Sequence, residues 1–330
     1  MIGLRAAGEL MRPSPDLQLP FRFEAEAGPG GAAELRTLLA ERAGELRRQL
    51  LKHGALLFRG YPVEGLADFE EFVRAYSSGA EPFHYAGGAS PRNRIGPAPA
   101  GLYTSTEYPP TLALPLHNEL SYAPTYPRHL FFYCVTPPGS GGATTLGDSR
   151  RILEAIDPDV VRTLETRKIR YVRNLASDAS CPYSWQAAFD TQDPKVVEEL
   201  CHASGAEIEW REAGGVRISH VLPAITVHPV TGEAVWFNQA DGFHPTVLGE
   251  ASYAELTAWP GWEDRVRLNA LYGDGSPMEL AVLDHVRAVI RDHTIPHHWR
   301  RGDILVIDNL LAAHGRTPFS GERSIALAMT

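Results

Sequence analysis

GDILVIDNLLAAHGRTPFSGERSIALAM, residues 302–329, closes the chain on a pattern that decides its architecture. A Gly-Asp turn opens the apolar run Ile304 to Ile307, which is strand-like in length and composition. The run leads on to His314 beside Gly315. From Arg323 the sequence alternates, and Ile325, Leu327 and Met329 share its period-two face. The chain therefore ends on strands.

Similar runs recur outward from there. HLFFYCV at 129–135 stops at Thr136-Pro137-Pro138-Gly139, a turn signal. ALLFRG at 55–60, RKIRYVRNL at 167–175 and several short runs within 216–239 also predict strands. Helical spacing predicts helices over 32–52 and 66–76, another after Asp148 or Ser149, and a longer one over 277–292. Strands at both ends with helices inserted between them predict one elaborated β-barrel-like domain over residues 1–330. No regular β-α-β-α rhythm is present, which argues against Rossmann and TIM architectures. Residues 77–110 and 177–215 interrupt the barrel pattern and are candidate lids, with surface decoration as the alternative.

Composition removes several classes. Apolar residues make up 44% of 330, enough for a large core and too many for a disordered chain. The formal charge of -9 and the lack of a basic stripe speak against a nucleic-acid-coating protein. Cys134, Cys181 and Cys201 form no close pair, so neither a disulfide scaffold nor a cysteine zinc site is expected. No apolar signal core and no run of about 18 apolar residues are seen, so a soluble, cytoplasmic protein without membrane contact is expected.

The chemical signal begins at Leu116-His117-Asn118-Glu119-Leu120. In an extended strand, residues two apart share a face, so His117 and Glu119 converge and Asn118 points away. An imidazole nitrogen and a carboxylate oxygen supply two corners of a metal face, and a second imidazole completes it. Two histidines and a carboxylate leave coordination positions open on non-haem Fe(II). The other reading is an ordinary strand with two polar side chains. His314, ending a buried strand beside Gly315, is the proposed third ligand; alternatively it is a core histidine bonded to backbone. Arg323 offers a two-donor fork for a carboxylate, or it pairs with Glu322 or Asp303.

Taken together the motifs resemble the taurine and chlorophenoxyacetate dioxygenase (TauD/TfdA-like) superfamily of Fe(II)/2-oxoglutarate enzymes. Within it they look like the syringomycin-type amino-acid hydroxylase branch of nonribosomal peptide and antibiotic biosynthesis. The resemblance covers roughly residues 40–330 and rests on LHNELSY (116–122), PPGSGGATTLGD (137–148), YVRN (171–174), HPVTGEAVWFNQA (228–240), LYGDGSP (271–277) and the terminal stretch. It implies a mainly β fold, a double-stranded β-helix (jelly-roll) core with outer helices and lid insertions. It implies His117, Glu119 and His314 as metal ligands for Fe(II), with 2-oxoglutarate and O2 as cosubstrates. Thr144 and Arg323 match the family's contacts to 2-oxoglutarate, and Arg316 is a further candidate beside them. Glu119 stands where Asp is commoner; it keeps an oxygen ligand and argues against halogenation.

The same resemblance suggests hydroxylation at the β-carbon of a polar amino acid, either free or tethered to a peptidyl carrier domain. Asn238 and Arg217 are candidate substrate contacts; a sheet terminus and a surface ion pair are their structural alternatives. Desaturation or another oxidation by the same site is an alternative outcome. A metal-dependent hydrolase or isomerase and a catalytically silent carrier-binding protein are the competing classes.

Overall fold

The apolar runs form the inner strands of the computed structural model, which describes residues 18–25, 32–83, 85, 88–89, 94–95, 101–105 and 108–330. His129–Thr136 lies within a six-stranded sheet ordered Phe21–Glu24, Ala55–Arg59, Ile304–Asp308, His129–Thr136, Ser324–Met329, Leu102–Thr104. All its pairings are antiparallel except the first. Alternate side chains leave a strand on opposite faces. Here both faces are covered, so the strands read as unbroken apolar runs rather than alternating ones.

One face carries Leu130, Phe132 and Cys134 with Leu305, Ile307 and Leu327. The other carries Phe131, Tyr133, Phe58, Ile304 and Val306, covered by Leu46, Leu50, Phe69 and Phe72 from helices Ala43–His53 and Leu66–Tyr76. Each such side chain, fully buried, contributes about 1.5–3 kcal/mol of transfer free energy. Cys134 belongs to this packing. Burial pushes its thiol up to about 12, which suits core filling and not redox chemistry.

A second, four-stranded antiparallel sheet covers the first face, ordered Ile295–His297, Thr144–Asp148, Ala312–Arg316, Leu114–His117. Its Leu146 and Ala312 join Phe132, Leu305 and Leu327 in one core. A third sheet, Leu268–Tyr272, Ile169–Leu175, Val216–Leu222 and Glu207–Trp210, packs Tyr171, Ala270 and Tyr272 against Ile152, Leu283 and Val286 of helices Ser149–Ala155 and Leu280–Asp292.

The architecture is mixed α/β, with helix and strand in comparable amounts, which corrects the expectation of a mainly β chain. The third sheet and the outer face of the large sheet both expose apolar side chains that helices must cover, and those covers account for the added helix. Among the described residues no closed barrel or jelly-roll topology is found in the hydrogen-bonded sheets. The predicted 32–52 helix is two helices, Ala32–Glu41 and Ala43–His53. Of the candidate lids, 77–110 lies partly outside the described residues. Segment 177–215 folds as helices Trp185–Phe189 and Pro194–Ala203 plus strand Glu207–Trp210, packing Trp185, Val197 and Cys201 on Val216 and Ile218. No helix among the described residues is long and apolar enough to cross a membrane.

Candidate metal centre and adjoining cavity

Strand Ala312–Arg316 runs between Thr144–Asp148 and Leu114–His117, and its register places His314 directly opposite His117. The two imidazole rings lie with centroids 4.4 Å apart. Glu119 Oε2 stands 3.9 Å from His117 Nε2 and 3.8 Å from His314 Nε2. One ligand atom from each of the three residues lies within 4.8 Å of the others.

The local backbone departs from the extended His-x-Glu strand that the sequence predicts. The strand ends at His117, and Glu119 sits in the turn that follows, with Leu120 in the left-handed region at φ 56°. Asn309 holds that turn. Its Oδ1 accepts from Glu119 N at 2.7 Å, and its Nδ2 donates to the Glu119 carbonyl at 2.9 Å. Asn118 Nδ2 donates to the Asn309 carbonyl at 2.6 Å, and Gln239 Nε2 donates to the Asn118 carbonyl at 2.8 Å. Side-chain amides thus replace the ladder bonds a strand would have made, and Glu119 still turns toward the histidines.

The donor set fits a divalent transition metal. His117 Nδ1 lies 2.9 Å from the Pro115 carbonyl oxygen, so the proton belongs on Nδ1 and the Nε2 lone pair faces Glu119. Two imidazole nitrogens and one carboxylate on one side leave the remaining positions open, the arrangement of non-haem Fe(II) oxygenases.

Gly315 is required by the same packing. A Cβ there would stand 2.5 Å from the Leu114 carbonyl oxygen, 2.7 Å from Thr145 Oγ1 and 2.9 Å from the Pro115 carbonyl oxygen. Gly315→Ala must push away the strand that carries His117. It is expected to cost about 1–3 kcal/mol of stability and to weaken metal binding about tenfold or more through the displaced Pro115 carbonyl. Thermal unfolding with and without Fe(II) checks both: a normal iron-induced rise in melting temperature would refute the second effect.

Beyond His314 a pocket of about 30 Å³, enough for one small polar group, is lined by Ser105, Phe132, Thr144, Arg316 and Arg323 among others. Arg323 donates to the Gly142 carbonyl at 3.1 Å and to Ser105 Oγ at 3.3 Å. Asp303, one of its alternative partners, instead pairs with Arg59 at 2.6 Å. Burial, with Arg316 adding repulsion, lowers the Arg323 guanidinium to about 10. Trp299 Nε1 donates to Thr144 Oγ1 at 3.0 Å. Two guanidiniums beside a hydroxyl favour a carboxylate ligand. Arg316 is the less free of the two, since its donors reach the carbonyls of Tyr108, Pro109 and Leu112 at 2.8–3.1 Å.

The family model described as taurine catabolism dioxygenase TauD, TfdA family matches residues 15–329. The chain belongs to this family. As a TauD/TfdA-family chain with a two-histidine, one-carboxylate site, it is a non-haem dioxygenase that uses Fe(II), 2-oxoglutarate and O2. It is 34% identical over 280 residues to the dapdiamide synthesis protein DdaC of Enterobacter agglomerans, covering 85% of this chain and 83% of that protein. It is 31% identical over 291 residues to the clavaminate synthase-like protein At3g21360 of Arabidopsis thaliana, covering 85% and 82%. Its fold is similar to that of the PvcB protein from Pseudomonas aeruginosa, with a TM-score of 0.52, 17% identity and coverage of 99% and 94%.

A larger cavity of about 430 Å³ adjoins this TauD/TfdA-family site. His117 and Glu119 form part of its wall, with Tyr108, Tyr122, Gln239, Asp241 and Arg267. Two sequence candidates lie outside that wall. Asn238 is buried, donating to the Ala224 carbonyl and accepting from Ala240 N, an Asx turn that ends the strand. Arg217 pairs with Asp264 at 2.7 Å. The neighbour of Asn238, Gln239, faces the cavity, and neither Asp241 nor Arg267 carried a sequence motif to mark it.

Proposed function

We propose that this dioxygenase hydroxylates an unactivated C–H bond, at the β-carbon of a polar amino acid, within natural-product biosynthesis of the syringomycin-hydroxylase kind. The observation that carries the reading is the triad opening directly onto a cavity with charged walls. Likeness to a dapdiamide synthesis protein supports the biosynthetic setting. We assign Thr144 and Arg323 to the far carboxylate of 2-oxoglutarate, with Arg316 as their support. The two facing sheets are read as the walls of a double-stranded β-helix within a single 1–330 domain.

When bound, Fe(II) supplies the activation of O2 that couples decarboxylation of 2-oxoglutarate to oxidation of the substrate. His117, Glu119 and His314 would hold the metal, and together they would leave positions on it for the cosubstrate and O2. The Pro115 carbonyl keeps His117 in the ligating tautomer, and Asn309 fixes the backbone of Glu119. Arg323 and Thr144 orient the cosubstrate. The cavity wall places the substrate C–H bond and limits water. The overall balance is substrate, 2-oxoglutarate and O2 giving the hydroxylated product, succinate and CO2. No side chain has to serve as nucleophile or general base.

Incubation of the iron-loaded protein with 2-oxoglutarate, air and candidate amino acids, free or carrier-bound, tests the reading. One succinate per product heavier by one oxygen is expected. A product lighter by two hydrogens would mean desaturation, and metal-dependent turnover without 2-oxoglutarate or O2 would overturn the reading altogether.

A further inference from the structure

The cavity beside the triad contains two groups of opposite charge that form no ion pair among the described residues. Arg267 lies just before strand Leu268–Tyr272, half-buried. NH1 donates to the Ala89 carbonyl at 2.5 Å, and the guanidinium carbon sits 4.4 Å from the Tyr183 ring centroid. Among the described residues no carboxylate lies at ion-pair distance from it, whereas Arg217, Arg211 and Arg170 on the same sheet all have acidic partners. Burial lowers its affinity for the proton, with the nearby tyrosines opposing that effect.

Asp241, in the short helix Ala240–Phe243, is buried and also forms part of the cavity wall. No cation pairs with its carboxylate among the described residues. Arg287 comes near but donates to the Asp241 backbone carbonyl and to Thr246 Oγ1, both at 2.7 Å. Burial pushes the Asp241 carboxyl up to about 6, and Arg287 offsets this only in part. Asp241 and Arg267 are not within ion-pair distance of each other either.

A desolvated charge without a partner is costly, and a ligand of opposite charge recovers much of that cost. We propose that the cavity binds a free amino acid as its zwitterion, the carboxylate on Arg267 and the ammonium on Asp241. This rests on the amino-acid oxygenase reading and narrows it. A carrier-bound aminoacyl thioester has no α-carboxylate and would leave Arg267 buried against a neutral carbonyl. The cavity of about 430 Å³, which His117 and Glu119 also line, leaves room for the side chain.

The test uses the anaerobic Fe(II)·2-oxoglutarate protein, whose visible charge-transfer band reports cosubstrate binding and shifts when substrate arrives. The common L-amino acids are titrated first. Each one that shifts the band is then compared with its α-carboxamide and its desamino acid. In wild type the carboxamide should bind about thirty-fold or more weakly, and in Arg267→Met that ratio should fall to within about threefold, with Arg267→Lys retaining part of it. Asp241→Asn should remove the preference for the amino over the desamino acid in the same way. All variants should form the unshifted band at wild-type 2-oxoglutarate concentrations.

The wild-type acid-to-amide comparison stands even if a variant fails to fold. A normal 2-oxoglutarate band that no free amino acid shifts would overturn the proposal while leaving the oxygenase reading intact. So would an acid-to-amide ratio that survives Arg267→Met, a carrier thioester that alone is turned over, or loss of 2-oxoglutarate itself in Arg267→Met. Absence of the band in wild type would instead sink the 2-oxoglutarate site.

Discussion

His314→Ala should lose Fe(II) binding by on the order of a thousand-fold, about 4 kcal/mol, and with it all 2-oxoglutarate turnover. One of three protein ligands goes, and the other two cannot move in to compensate. Asn309 fixes the Glu119 backbone through both its N–H and its carbonyl, and Pro115 fixes His117. The loss should not come from unfolding. His314 lies at the middle of strand Ala312–Arg316, but the core around Leu305, Ile307 and Leu327 is built by residues the substitution leaves in place. Iron titration followed by the charge-transfer band on adding 2-oxoglutarate measures the effect, and circular dichroism monitors the fold. A full-strength band in His314→Ala would remove it from the ligand set. Glu119→Asp gives a graded control: the backbone stays clamped and the carboxylate retracts by one methylene, so iron should bind about tenfold more weakly and still support turnover.

Much of this site was legible because its signals are local. His117 and Glu119 are two residues apart and suggest a ligand pair, and the resemblance carried by the motifs around them and around His314 completed the set. The inner strands were legible for a related reason: burial on both faces leaves a dense apolar run, as in His129–Thr136. Helix Leu66–Tyr76 was equally clear, with Phe69 and Phe72 buried on one side.

What the sequence hid is set by distant partners. Asn309 reaches Glu119 across 190 positions, and that contact makes a turn where periodicity predicts a strand. Arg267 follows an irregular segment, and its burial in the cavity wall depends on Ala89 and Tyr183 approaching from elsewhere. Arg217 was the arginine the sequence nominated, yet Asp264, 47 residues away, neutralises it. The sequence nominated Asn238, whereas its neighbour Gln239 is the residue that lines the cavity. One residue of register makes that difference.

Arg323→Ala should raise the KM for 2-oxoglutarate about a hundred-fold while iron binding stays within about threefold of wild type, the expected loss of a charge-assisted hydrogen-bonded pair. The guanidinium is held in a small pocket by Gly142 and Ser105, neither of which carries a negative charge, and Arg316 adds to the positive potential there. Such a site is electrostatically incomplete until an anion enters. The phenyl ring of Phe319, 5.6 Å from the guanidinium carbon, keeps the fork in place. Lysine restores the charge without the fork, so Arg323→Lys should recover part of the affinity. Thr144→Val should cost less, about tenfold or under, because it removes one neutral hydroxyl. Substrate-saturated rates at high 2-oxoglutarate should return toward wild type in all three variants, since the proposed contact is to the cosubstrate's distant end and not to the reacting carbon. If Arg323 served the fold alone, Arg323→Ala would lower the melting temperature and leave the KM unchanged, and the carboxylate socket would have to be sought elsewhere in the site.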